Sequence, residues 1–277
     1  MQGAVTATAD TFAQNRARGA VAFDVHVQDG MTRRRELHES GSLRVRFPSP
    51  EQQGLSAVFI NTAGGVAGGD IFNIDIATGE GARLTATTAA AEKIYRSHGP
   101  DSQINVTLKA DANSHISWLP QETILFDQVC AVRRFDIDLH ETATLLLSEI
   151  VVFGRTAMNE TVARGSFTDR WRLRRGGKLI FADTVKLDGD FAGKLASRAV
   201  ANGGVAIGTA LVVPGDESLV EKIRDVSSNF SSEFGISAWN GFALVRLCGS
   251  DAARLRADMI AVLACISPAG LPRLWLN

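Results

Sequence analysis

Apolar and polar residues alternate along the first two thirds of this chain in short segments of strand period. Phe72, Ile74 and Ile76 alternate with Asn73 and Asp75, as they must when successive side chains leave a strand on opposite faces. The same rhythm predicts strands at 20–27, 42–47, 56–61, 71–77, 82–88, 103–109, 115–119, 123–126, 132–139, 144–153, 167–173 and 178–187. Turn-forming residues punctuate them, at Thr78-Gly79-Glu80-Gly81, Ala110-Asp111-Ala112-Asn113 and Arg175-Gly176-Gly177-Lys178. The Gly-Gly pair adopts positive φ at little cost and predicts a hairpin. Many short, evenly spaced strands predict a mainly β fold of layered, sandwich-like sheets.

The period changes after about Gly189. Leu219, Val220, Ile223 and Val226 follow helical spacing behind Asp216 or Glu217. Leu255, Met259, Val262 and Leu263 do the same behind Ser250 or Asp251, residues suited to cap a helix. Residues 242–247 between them read as a strand. A small number of helices is therefore expected in the C-terminal third, 190–277, as an appendage or as the edge of one domain spanning 1–277. Residues 1–19 read as a flexible N-terminal segment.

Composition narrows the function classes. The chain has 277 residues, 45% of them hydrophobic and 21% charged, with a net charge of −1. This is a globular balance, and it lacks the basic footprint of a nucleic-acid binder. The densest basic runs, Arg33-Arg34-Arg35 and Arg170 to Arg175, are short and read as solvated faces, or as a docking surface. Cys130, Cys248 and Cys265 are sparse and odd in number, which fits a reducing compartment. Residues 1–14 lack the apolar run of a signal peptide, and no stretch approaches the roughly 20 apolar residues of a membrane span. A cytoplasmic protein, off the membrane, is expected. His26, His38, His98, His115 and His140 form no H-x-x-x-H and pair with no cysteine at ligand spacing, so no tight zinc site is expected.

The run Asn61-Thr62-Ala63-Gly64-Gly65-Val66-Ala67-Gly68-Gly69-Asp70 is the most distinctive loop. Gly64 and Gly69 have the spacing of the outer glycines of a Walker A loop, but Asp70 and Ile71 stand where Lys and Ser or Thr are needed. A carboxylate about 4 Å from a phosphate charge costs on the order of 4 kcal/mol at an effective dielectric of about 20. A strand pattern follows, where a phosphate cradle needs a helix N-terminus. Gly64, Gly65, Gly68 and Gly69 thus supply backbone freedom in a turn between strands.

Four carboxylates stand in apolar or mixed surroundings: Asp70, Glu149, Glu160 and Asp183. Glu149 interrupts Leu145-Leu146-Leu147-Ser148-Glu149-Ile150-Val151-Val152-Phe153. An unpaired buried carboxylate costs several kcal/mol, so Glu149 needs a partner, and Arg155 is the nearest candidate in sequence. The carboxylates read either as ion pairs that fix strand register or as an oxygen-lined passage for a divalent cation. Carboxylate oxygen holds a borderline metal such as nickel more weakly than imidazole or thiolate, which suits transfer. In Trp118-Leu119-Pro120-Gln121-Glu122-Thr123-Ile124-Leu125-Phe126, Pro120 marks an edge or a break between strands. Trp118 and Phe126 are interface anchors if exposed and core if buried.

These motifs together resemble the urease accessory protein D family, UreD, called UreH in some organisms. The Gly-rich loop, Leu84 to Ser97 with its Lys93-Ile94-Tyr95-Arg96 turn, Trp118 to Phe126, Glu149 to Arg155, and Leu271-Pro272-Arg273-Leu274-Trp275 occur in the family's order. One departure is Asn159-Glu160, where the family usually has Gly-Glu after its Gly-Arg. The resemblance implies a mainly β, non-catalytic maturation scaffold. It implies binding to UreF, recruitment of the GTPase UreG through UreF, and docking on apo-urease, with nickel in transit and no tightly bound cofactor. Asp70, Glu149, Glu160 and Asp183 would line the nickel route. Gly64, Gly65, Gly68, Gly69, Lys93, Tyr95, Arg96, Trp118, Pro120 and Arg155 would be structural or partner-facing. Two other classes fit the composition: a ligand-binding β module, and a carboxylate-based hydrolase using Glu149 and Glu160. A glycosidase of that kind holds its carboxyls about 5 Å apart if retaining and roughly 6.5–9.5 Å apart if inverting.

Overall fold

The computed structural model describes residues 16–48, 54–155, 158, 160–267 and 270–276. Of the N-terminal segment 1–19 singled out above, residues 1–15 lie outside them, as does Asn159, while Arg18 and Gly19 already belong to the first strand. Two sheets are built from strands β1 (Arg18–Gln28), β2 (Met31–Gly41), β3 (Leu43–Arg46), β4 (Leu55–Asn61), β5 (Ile71–Thr78), β6 (Arg83–Thr88), β7 (Glu92–Ile94), β8 (Ser102–Ala110), β9 (His115–Trp118), β10 (Thr123–Leu125), β11 (Cys130–Leu139), β12 (Thr144–Phe153), β13 (Arg164–Arg175), β14 (Lys178–Asp190), β15 (Ala206–Val213), β16 (Glu233–Trp239) and β17 (Phe242–Gly249). The helices are α1 (Phe191–Ala196), α2 (Glu217–Ser227) and α3 (Ala252–Ile266). Asp216 and Asp251 cap α2 and α3 by accepting from backbone N–H groups of the first turn.

Sheet A runs β14-β13-β11-β8-β5-β1-β2 and sheet B runs β16-β17-β15-β12-β9-β6-β4-β3. Between β4 and β13 the chain alternates between the sheets, apart from the short β7 and β10 on sheet B. Each new strand pairs parallel with its predecessor in the same sheet: β5 with β8, β8 with β11, β11 with β13, and likewise β4 with β6, β6 with β9, β9 with β12. Antiparallel partners close both ends, β2 and β14 on sheet A, β3 and the β15–β17 group on sheet B. The Gly176-Gly177 hairpin joins β13 to β14 as expected, both glycines at positive φ.

The inner faces of the sheets enclose the main core, including Phe23, Phe59, Phe135, Phe167 and Trp171. A second core lies between the outer face of sheet B and helices α2 and α3, with Trp275 sealing its end. β12 belongs to both. Leu145, Leu147 and Val151 face the first core, and Leu146, Ile150 and Val152 face the second. That explains its near-continuous apolar run, since a strand covered on both sides loses its alternation. The C-terminal part is thus the edge of sheet B with helices laid over it.

Candidate functional site

Inward-facing positions of β11, β12 and β13 each carry one charge. Arg133 sits between Ala131 and Phe135, Glu149 between Leu147 and Val151, and Asp169 between Phe167 and Trp171; all three are buried. Arg133 Nη1 lies 2.5 Å from Glu149 Oε2 across the sheets. Its Nε and Nη2 donate to Asp169 Oδ1 and Oδ2 at 3.1 and 2.6 Å, a two-toothed grip. Nη1 also donates to Thr123 Oγ1 at 3.1 Å, and Trp118 Nε1 donates to Glu149 Oε1 at 2.9 Å. One guanidinium therefore serves two carboxylates. Burial pushes the Glu149 carboxyl above its ordinary range against the pull of Arg133, and Asp169 adds to the rise. Burial works against the Arg133 charge, but Asp169 and then Glu149 outweigh it and hold the guanidinium charged. The partner of Glu149 is thus Arg133 and not Arg155; strand pairing across the sheets, invisible in sequence distance, decides it.

The seam continues outward. A cavity of about 10 Å³ is lined by Arg133, Glu149 and Asp169 at one end and by Asp183, Thr209 and Arg246 at the other. It has room for about one water molecule. Arg246 on β17 pairs with the Asp183 carboxylate on β14 and donates to Thr209 Oγ1 at 3.2 Å. The pair is half-exposed, and beside the cavity lies a groove of about 510 Å³ that shares Val185, Ile207, Thr209 and Arg246 with it. Two of the four expected carboxylates, Glu149 and Asp183, therefore line one space.

The other two do not. Asp70 is buried at the foot of the Gly-rich loop. Its Oδ1 accepts from Ala17 N at 2.8 Å and its Oδ2 from Ala67 N at 2.7 Å, so it staples the loop to the start of β1. Beside it Glu92 accepts from Asn61 Nδ2 at 3.2 Å on each oxygen. Burial raises its pKa to about 7, with Asn61 opposing and Asp70 adding. Glu160 lies at the surface, gripped by Arg155 Nε at 2.6 Å and Nη2 at 3.2 Å.

The motif residues gather around that surface pair. The Arg155 guanidinium lies 4.2 Å above the Phe126 ring, which meets Tyr95 edge-on at 5.1 Å. Tyr95 Oη donates to Gly64 O at 2.9 Å, and a Cβ on Gly65 would sit 2.4 Å from the Tyr95 ring. Gly68 is equally confined, by Ser97, and Gly69 has a positive φ. Lys93 and Arg96 are exposed on the same stretch. Trp118 and Pro120 are buried, so Trp118 is core and a Glu149 donor, while Phe126 is half-buried.

Sequence reading missed Arg133, Asp169, Glu92 and Arg246. Arg133 and Asp169 did leave a signal, a charge on the apolar phase of an alternating strand. Among the described residues, no group of three or more His, Cys, Asp or Glu is placed to hold a metal ion. No helix among them is long and apolar enough to cross a membrane.

Fold and site define a two-sheet β scaffold, wound by parallel crossovers and carrying a charged seam between its layers. The family profile described as UreD urease accessory protein matches residues 17–276. The chain belongs to that family. Among curated relatives, it is 68% identical over 272 residues to a urease accessory protein UreD of Rhodopseudomonas palustris strain BisB18, covering 98% of each chain. It is 65% identical over 277 residues to a urease accessory protein UreD of Bradyrhizobium diazoefficiens, covering 100% of each.

Proposed function

We propose that this chain is a non-catalytic scaffold for urease maturation, required for incorporation of nickel into the urease metallocentre. In this reading it binds UreF, recruits the GTPase UreG through UreF, and docks on apo-urease in the cytoplasm. Nickel is cargo in this reading. Glu149 and Asp183 serve its transit through the inter-sheet seam, and Asp70 and Glu160 shape the loops at the surface. The observation that carries the reading is the family profile matching residues 17–276. The seam supports it in that Glu149 and Asp183 line one cavity, where a passing cation takes the place of the Arg133 and Arg246 guanidiniums that hold these carboxylates at rest. The hydrolase reading is disfavoured, since Glu149 lines the seam cavity between the sheets and Glu160, held by Arg155 at the surface, does not line it.

The test is co-expression with UreF, UreG and the urease subunits, with and without this chain. Complex formation, urease activity and nickel content are measured. Loss of nickel and activity without the chain is the expected result, together with lowered activation by Glu149→Ala or Asp183→Ala while UreF is still bound. Full activation without the chain overturns the scaffold role, and unchanged activation by both variants overturns the route.

A further inference from the structure

The outer face of sheet A is polar, and its charges are arranged in register. Reading across β5, β8, β11 and β13, one row is Asp75, Thr107, Asp136 and Arg172. The next is Ala77, Lys109, Asp138 and Arg174, and the row on the other side is Asn73, Asn105, Arg134 and Arg170. Asp75, Lys109, Asp136, Asp138 and Arg170 are exposed. Asp75, Lys109, Asp138 and Arg174 have no ion-pair partner among the described residues. The α2 and α3 helices cover sheet B instead, although parallel sheets ordinarily have both faces covered.

We propose that this face is a self-association surface, on which a second copy of the chain docks sheet to sheet about a two-fold axis parallel to the strands, midway between β8 and β11. That operation lays β5 over β13 and β8 over β11 of the copy. Asp75 then faces the second copy's Arg172, and Lys109 faces the second copy's Asp138. Asn73 and Asn105 face Arg170 and Arg134. Each contact occurs twice, as a two-fold interface requires. The like-signed meeting of Arg18 with Lys186 falls at the rim, where salt screens it. Facing sheets lie about 10 Å apart, a gap that Lys and Arg side chains span. Small residues, Ala22 and Ala77, leave a hollow of about 350 Å³ beside Asp75 and Glu36, into which the arginine column of the copy fits. Nucleic acid is the poorer occupant, because Asp75, Asp136 and Asp138 on the same face repel phosphate. The patch is polar and four strands wide, so the dimer is weak and salt-sensitive.

The test is sedimentation velocity of the full chain over a concentration series up to the order of 100 μM, in the micromolar range of weak complexes. Runs at about 0.05 M and about 1 M salt compare a Debye length above 10 Å with one of about 3 Å. A dimer that forms at low salt and dissociates at high salt is expected. Lys109→Asp and Asp138→Lys should each weaken it at least ~10-fold, about 1.4 kcal/mol. The double variant, which restores opposite charges across the axis, should recover the dimer. Circular dichroism of each variant checks the fold. A monomer at every concentration, a dimer indifferent to the single reversals, or a double variant that stays monomeric overturns the proposal.

Discussion

Arg133 and Glu149, on opposite sheets, meet at 2.5 Å with both side chains almost wholly buried. The same guanidinium grips Asp169 on its own sheet, so the two layers are tied through one residue. Removing the cation leaves two buried carboxylates facing each other. Arg133→Met should therefore destabilise by about 3–5 kcal/mol, the usual cost of breaking a buried pair. Glu149→Gln keeps an acceptor for Trp118 and leaves Asp169 on the guanidinium, so its cost should stay near ~1 kcal/mol. Urea unfolding midpoints distinguish the two; equal losses would mean the guanidinium does not hold the layers.

Two half-buried groups give opposite pH slopes. The folded pKa of Glu92 is raised to about 7 from 4.5 by burial. Its stabilising contribution is thus complete below about pH 4.5 and is lost as pH rises through 7, by at most ~1.4 kcal/mol per pH unit. His115 behaves in reverse. Burial, and then the Arg83 charge, lower its pKa to about 4, while its ring nitrogens meet Thr144 and Ser117 hydroxyls at 2.7 and 2.8 Å. Its contribution is present above about pH 6.5 and is lost as pH falls through 4. Thermal melts from pH 4 to 8 should lose their alkaline decline in Glu92→Gln and part of their acid decline in His115→Gln.

Gly154 ends β12 at φ +87°, and a Cβ there would lie 2.3 Å from Glu160 O. Backbone cannot move aside as a side chain can. Gly154→Ala should cost more than ~1 kcal/mol and displace the Arg155–Glu160 pair. A lowered melting temperature with altered tyrosine fluorescence from Tyr95 would register both effects.

Trp275 closes the second core. Its Nε1 donates to Leu119 O at 2.8 Å, and Arg256 stacks 4.8 Å from its ring while pairing with Glu122. Trp275→Ala should cost about 3–5 kcal/mol, whereas Arg256→Gln, which loses a part-buried pair, should cost about 1 kcal/mol. Chemical denaturation of both variants tests the ranking.

Legibility followed burial pattern. Strands with one covered face, such as β5 and β13, announced themselves by alternation. β2 did not, because Arg33, Arg34, Arg35 and Glu36 are all exposed, the charge pattern of a sheet edge protected against further pairing. β15 was hidden for the opposite reason: it is covered on both faces, and Ala206-Ile207-Gly208-Thr209-Ala210-Leu211-Val212-Val213 has no alternation. The helix caps were readable because a cap is a local hydrogen bond. The charged seam was only half readable. Glu149 stood out against leucines and valines, but its pairing with Arg133 depends on which strands cross the core, and sequence spacing does not encode that.

The winding of the chain has a consequence for how it comes to be folded. Asn73, Asn105 and Arg134 sit side by side on successive strands, so each coil arrives as about one further stretch of newly made polypeptide. Such contacts are non-local and form slowly in a refolding chain. A ribosome supplies them in order, because each coil leaves the exit tunnel with its template already in place. The protein should accordingly fold more faithfully during synthesis than on dilution from denaturant. The last strands made, β15 to β17, complete the edge of sheet B, and chains released before them would leave it open.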